Sequence, residues 1–345
     1  MPETAWCRVV SSALAALFAL TAAACSSEPP DVAPVLNADV RGTSFSLEPI
    51  QPIPRAPGLD PDKVALGRKL FADKRLSSDG TVACASCHVL PGGGMDGRKT
   101  AMGIGHAIGR RNTPTVFNVD LNEKQTWDGR MDTLEAQIDM PLLGHDEMAG
   151  SWAAVLALMH RDGDYSRAFA RLYDGKIERA SVTDAIATFE RSLRAVHSRF
   201  DRYLEGDTSA LSASEVAGYR AFKNYGCVSC HQGRNVGGNM FQKLGVVRDY
   251  LGAPDVDEED RDLGRFAVTG READRFVFRV PSLRLVSRTA PYFHDGDIAT
   301  LDQAILIMGR YQLGREIPDD DRANIAKFLS SLAGELDAED THATK

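Results

Sequence analysis

The chain has 345 residues, 43% of them hydrophobic, and a formal net charge of −8. That length and apolar content suffice for two separate cores. An acidic chain with no basic stripe argues against a nucleic-acid role, whereas a small carrier with a positive patch would be attracted to it.

Residues 9–24 form an apolar stretch too short to span a bilayer comfortably but suited to a signal-peptide core, so residues 1–24 read as a signal peptide and the protein as exported. The stretch runs into Ala22-Ala23-Ala24-Cys25, which resembles a lipobox with Cys25 as the lipidated first residue of the mature chain; Ala22-x-Ala24 would also suit ordinary signal cleavage. Firm membrane anchoring through Cys25 needs more than one acyl chain. Residues 25–57 carry several prolines and little helical periodicity, the composition of a tether.

Helix signals dominate from there on. Asp60-Pro61 suits an N-cap followed by proline at the first helical position. A weak internal repeat places Gly67 four residues before Phe71 and Gly218 four residues before Phe222, each shortly ahead of a cysteine motif. Ser181-x-x-Asp184 reads as the cap of a helix with Val182, Ile186, Phe189, Leu193, Val196 and Phe200 on one face; Ser212-x-x-Glu215 and Thr300-x-x-Gln303 read as further capping boxes. A short strand is expected within Arg275–Val280, and residues 336–345 as a frayed tail. The class is mainly α with few short strands, in two domains, 58–205 and 206–335, which Cys84-x-x-Cys87-His88 and Cys227-x-x-Cys230-His231 mark as cytochrome c-like haem domains.

The haem assignment rests on Cys84-Ala-Ser-Cys87-His88 and Cys227-Val-Ser-Cys230-His231, each the attachment signature of a c-type haem. Two thiols add to the vinyl groups of one porphyrin and the adjacent His reaches the iron. A zinc half-site would need a second ligand pair near each run, and a redox dithiol would lack the following His. Of the six cysteines only Cys7 and Cys25 lie outside these motifs, which leaves none for a disulfide in the mature chain. Bacterial c-type haem attachment occurs outside the cytoplasm, so the protein is placed on the periplasmic side of the envelope. What opposes each proximal His decides the function: a thioether raises the potential, a second imidazole lowers it, and an open face admits an oxidant. Candidates include His106, His145, His160, His197, His294 and the methionines.

Ile104-Gly-His106 with Arg111-Asn112-Thr-Pro-Thr115, Trp127-Asp-Gly-Arg130, Thr133-Leu-Glu-Ala-Gln137, Glu147-Met148, Arg279-Val-Pro-Ser-Leu-Arg284, Thr289-Ala-Pro-Tyr-Phe-His-Asp-Gly296 and Met308-Gly-Arg-Tyr-Gln-Leu-Gly314 stand in order around the two haem motifs. In this, residues 58–335 resemble the bacterial dihaem cytochrome c peroxidases. The resemblance implies a peroxide site at the first haem and electron entry at the second. It implies His231 and Met308 as the axial pair of the second iron, and His88 with a removable His106 at the first. Glu147 is implied as the acid/base, Gln137 as the group orienting peroxide, and Trp127 as a relay between haems. Asn112 and the carbonyls of Thr289 and Pro291 are implied as an interdomain Ca²⁺ site. A small exported cytochrome c or cupredoxin as donor, hydrogen peroxide as substrate and a homodimer complete the implication. Trp152 reads as core, and His294 has no assigned role. Two rivals remain at this point: the related dihaem enzymes of quinone-cofactor maturation, which place Tyr where Met308 stands, and a non-catalytic dihaem electron carrier.

Overall fold

The computed structural model describes residues 48–56, 58–251 and 261–336; Cys25, the signal segment and almost all of the expected tail lie outside the described residues. Twelve α-helices follow in chain order among them: α1 Pro61–Phe71, α2 Cys84–Cys87, α3 Leu134–Gln137, α4 Asp139–Leu143, α5 Trp152–Arg161, α6 Gly163–Leu172, α7 Arg179–Ser192, α8 Arg199–Leu204, α9 Ala213–Tyr225, α10 Phe266–Thr269, α11 Leu301–Ile307 and α12 Asp319–Ser331. Two short strands, β1 Phe241–Lys243 and β2 Val277–Arg279, pair antiparallel with Phe241 opposite Arg279. The fold is mainly helical, as composition and motif order imply.

The internal repeat has a steric cause. A Cβ on Gly67 would lie 1.9 Å from the carbonyl oxygen of Ala185, and one on Gly218 would lie 1.9 Å from that of Asn324. Glycine therefore lets α1 cross α7, and α9 cross α12, at backbone contact. Beside each crossing an aromatic pair closes the gap, with Phe71 5.2 Å from Phe189 and Phe222 5.2 Å from Phe328. Each pair nucleates a cluster of buried side chains. Leu66, Leu70, Ile186 and Phe169 belong to the first, and Phe200, Tyr219, Ile325 and Leu329 to the second.

Asp60 caps α1 by accepting from the Asp62 N–H, at 2.9 Å, and Ser212 and Thr300 cap α9 and α11. The expected box at Ser181 is displaced. The Ser181 hydroxyl instead accepts from the Glu178 N–H, at 3.1 Å, so α7 starts one turn earlier, and Asp184 is taken by Lys63 and Tyr173. The expected continuous face from Val182 to Phe200 is also broken. Helix α7 ends at Ser192, because Asn118 donates its N–H to Leu193 O and its Oδ1 accepts from the Ala195 N–H. Ser198 then caps the separate α8, which carries Phe200 into the second cluster.

The expected tether is likewise shorter than its prolines suggest. Ile50 and Ile53 are buried, Ile50 bridges to Gly233, and Glu48 pairs with Tyr219 and Lys223. Prolines keep residues 48–54 extended while the isoleucines between them pack inward.

Candidate active site

Each cysteine motif follows the helix of a glycine crossing, Cys227 two residues after α9 and Cys84 thirteen after α1, and both histidines are held in the same way. His88 Nδ1 lies 3.1 Å from Gly94 O with its ring 6.2 Å from that of Phe71; His231 Nδ1 lies 3.4 Å from Val236 O with its ring 6.5 Å from that of Phe222. A carbonyl can only accept, so Nδ1 carries the proton and Nε2 keeps its lone pair for a metal. Burial pushes both imidazoles below the usual range, His231 to about 4, which keeps them neutral. The same burial pushes the thiols up, Cys84 to about 12 and Cys87 and Cys227 to about 11. All four cysteines are half-buried and unpaired.

A cavity of about 530 Å³ opens over the second motif, with Cys227, Cys230, His231 and Met308 on its walls. Met308 starts a π-helical turn, Met308–Gln312, that widens the end of α11; such turns recur at functional positions. Trp127, His294 and Arg279 face the same space, as do Asn112, Thr289 and Pro291. The Trp127 indole N–H donates to Asn112 O at 2.9 Å, and its ring meets that of His294 edge-on at 6.4 Å. Arg279 is 5% exposed, and its side chain makes one hydrogen bond, from Nε to Thr126 O at 3.1 Å. With no acid partner among the described residues, burial pushes it down to about 10. A buried, uncompensated cation on a cavity wall calls for an anionic ligand group. Among the described residues, no group of three or more His, Cys, Asp or Glu side chains is arranged to hold a metal ion.

The first motif faces a different environment. Cys84 lines a narrow apolar crevice with Ile138, Pro141, Leu142, Met148 and Trp152, whose indole N–H donates to Asp139 at 2.9 Å. Gln137 ends α3, which Thr133 caps through the Ala136 N–H. Glu147 follows α4 in a tight turn and is half-buried; burial first, and the adjacent Asp146 second, raise its carboxyl above the ordinary range. The loop carrying His106 leans on that turn. The Ile104 N–H donates to Glu147 O at 2.8 Å, and a Cβ on Gly103 would lie 1.9 Å from Asp146 O. His106 itself is exposed at φ +64°. The structure therefore brings His106 and Glu147 onto adjoining backbone, and gathers Met308, Trp127, Asn112, Thr289 and Pro291 around the other cavity.

A family model for di-haem cytochrome c peroxidase matches residues 61–209. A cytochrome c551 peroxidase of Nitrosomonas europaea is 41% identical over 295 residues, 85% of this chain and 86% of that protein. The chain belongs to the dihaem cytochrome c peroxidase family. Cytochrome c peroxidase Ccp of Escherichia coli is 45% identical over 83% of this chain, which spans 61% of that protein's length. Among solved structures, a MauG-like protein associated with microbial copper homeostasis matches with a TM-score of 0.75 at 29% identity, covering 88% of this chain and 99% of that one.

The residues of this dihaem peroxidase family member fit haem. Each motif offers two thiols beside a neutral, oriented imidazole, and the larger cavity joins apolar walls to an unpaired arginine suited to a porphyrin carboxylate. Two buried charges were given no role from the sequence. Arg279, at the end of β2 between Phe278 and Val280, opens one of the ordered motifs, and Glu190 follows Phe189 on the packed face of α7. A charge inside an apolar run was the available signal for Arg279; Glu190, followed by Arg191, offered none.

Proposed function

We propose that this protein reduces hydrogen peroxide to water with electrons delivered one at a time by a small exported carrier, a cytochrome c or a cupredoxin. The observation that carries the reading is the inequality of the two sites: a sulfur ligand candidate on a helix at one, a raised, half-buried carboxyl beside a glycine-flanked loop at the other. Haem, covalently bound at both motifs, would supply the iron that binds peroxide and the redox couple that stores an electron.

The chain's own groups do the rest. His88 and His231 present neutral Nε2 atoms to the metal, and Met308 offers its thioether to the second. Glu147 takes a proton from the near oxygen of peroxide and returns it to the leaving oxygen, for which a raised pKa is suited. Gln137 orients the substrate by its amide and cannot itself move a proton. His106 closes the first site at rest and leaves it on activation; glycines 103, 105 and 109 flank it. Trp127 lies along the second cavity as the relay between the two sites.

The same reading includes Ca²⁺ at Asn112, Thr289 and Pro291, with several waters completing the shell. It also includes haem domains at 58–205 and 206–335, a homodimer, and a periplasmic location with a lipid anchor at Cys25. Steady-state oxidation of reduced cytochromes c and blue-copper proteins by peroxide tests it. Turnover is expected, and Glu147→Gln should lower kcat by about 10²–10⁴-fold with haem content intact; a variant with full turnover removes Glu147 from the mechanism.

A further inference from the structure

Glu190, in the last turn of α7, is 6% exposed, and its Oε2 has no hydrogen-bond partner. Its neighbours on the helix are Ile186, Ala187, Phe189 and Leu193, all buried. The acid beside it, Glu135, is itself paired with Arg191 at 2.5 Å. The nearest cation in sequence, Arg191, is therefore committed to another carboxylate. An acid isolated in this way costs stability to the extent that it is ionised. Burial pushes it up to about 8, with Arg191 opposing and Glu135 assisting.

Its location suggests what the cost serves. Ile186, one turn earlier on the same helix face, lines the apolar crevice that holds Cys84. Of the two carboxylates that act on the Cys84 sulfur, Glu190 has the larger effect and Glu147 the smaller. Other charged groups around it are Glu135 and Arg191 on the α3 side, Arg68 of α1 over the Phe189 ring at 5.4 Å, and the Asp120–Arg194 pair beyond the helix end. Cys84 loses its titrating thiol on attachment, so Glu147, Glu190 and, beyond the helix end, Asp120 with its Arg194 partner are left as the acids that burial raises on this side.

We propose that Glu190 is the redox-linked proton store of the first haem, its carboxylate gaining one proton when the iron of the haem bound through Cys84, Cys87 and His88 gains one electron. The step balances as ferric iron, one electron, one solvent proton and the carboxylate giving ferrous iron and the carboxylic acid. An O–H bond forms and none breaks. The electron comes from the carrier of the proposed reaction. Lowering the positive charge at the iron raises the proton affinity of an acid in the same poorly screened interior. Reduction of peroxide to two waters consumes two protons, and Glu190 holds one of them inside the protein before the oxidant arrives. The inference rests on the first motif carrying haem.

The test is spectroelectrochemical titration of the first haem in the full holoprotein from about pH 6 to about pH 9. The potential should fall as pH rises between the ferric-state and ferrous-state pKa of the acid, approaching about 59 mV per tenfold change in proton concentration for one proton per electron. Glu190→Gln should abolish that slope, while Glu147→Gln should retain it. A slope that survives in Glu190→Gln, or disappears in Glu147→Gln, overturns the assignment. If Glu190→Gln does not fold, reduced-minus-oxidised infrared spectra of Glu147→Gln decide instead. A protonated-carboxyl band that grows on reduction supports the proposal, and its absence defeats it. Haem count separates the two levels of the argument. Fewer than two haems per chain defeats the haem reading itself, whereas two haems with an unchanged slope defeat only Glu190.

Discussion

Replacing Arg284 with methionine should destabilise the protein by about 3–5 kcal/mol, the range for removing one partner of a buried ion pair. Arg284 is 1% exposed and stands 2.8 Å from Asp201, itself 2% exposed. The guanidinium also donates to Ser198 Oγ at 3.2 Å and to the carbonyls of Arg234 and Gln51, both at 3.0 Å. It thus ties the cap of α8, the loop after His231 and the extended segment at residue 51 to one point. Methionine fills similar space but leaves the buried Asp201 without its cation, and two part-buried carbonyls without this donor. At about 2–4 °C per kcal/mol, the midpoint of thermal unfolding should fall on the order of 10 °C. Guanidinium titration of the haem-loaded protein, followed by far-ultraviolet circular dichroism, measures the loss. The double variant Arg284→Met with Asp201→Asn should regain much of it, because the stranded charge is gone. A single-variant loss under about 1 kcal/mol, or a double variant less stable than the single, would refute the reasoning.

Met308→His should lower the potential of the second haem on the order of 0.1 V, well inside the ~0.8 V that axial ligands command, and potentiometry showing no downward change would count against thioether ligation. Acid titration probes Asp128, fully buried between Arg111 and Arg130. Burial alone would raise its carboxyl, but bonds from Arg130 and the charge of Arg111 outweigh this and hold it down to about 2. A depressed folded-state pKa contributes stability above the unfolded value of 3.8 that is lost as pH falls through about 2, worth about 2 kcal/mol. Asp128→Asn should flatten that acid limb in urea titrations, and an unchanged limb would assign it to other carboxylates. Gly103→Ala must displace Asp146 O, which would sit 1.9 Å from the new Cβ. Peroxide turnover should drop about tenfold or more through misplacement of Glu147, with the potential of the second haem unmoved as the control.

Local chemistry was the legible part of the fold. Asp60, Ser212 and Thr300 cap helices with side chains that reach two or three residues ahead, so a short window of sequence contains the whole interaction. The break after Ser192 was not legible, because it is imposed by Asn118, more than seventy residues upstream in the chain. The buried Ile50 and Ile53 were masked by prolines that describe backbone extension and say nothing of packing. In the site, motif order placed Met308 and Glu147 in their segments. The π turn that begins at Met308 leaves no trace in apolar spacing, and the contact of Gly103 with the Glu147 turn joins loops some forty residues apart.

The two halves share a proximal design and differ in what stands opposite it. In both, a glycine-bearing helix crosses a later helix at backbone contact, its phenylalanine meets the histidine ring, and a carbonyl five or six residues beyond that histidine fixes its tautomer. A repeat of this kind supplies two equivalent imidazoles and cannot by itself make one site react and the other store. In the proposed reaction the difference comes from the element that bears the proposed opposing residue, Met308 or His106. At the second site that element is the end of α11, and Met308 projects from a helix whose next turn is fastened by Gln312 to Gly245 and Lys243. At the first it is a glycine-flanked loop whose His106 is exposed and whose backbone rests on the turn of Glu147. A ligand on a fastened helix persists, whereas one on such a loop can depart without unfolding anything else. The loop's own hydrogen bond to Glu147 O would then link the proposed departing ligand, His106, to the proposed acid, Glu147.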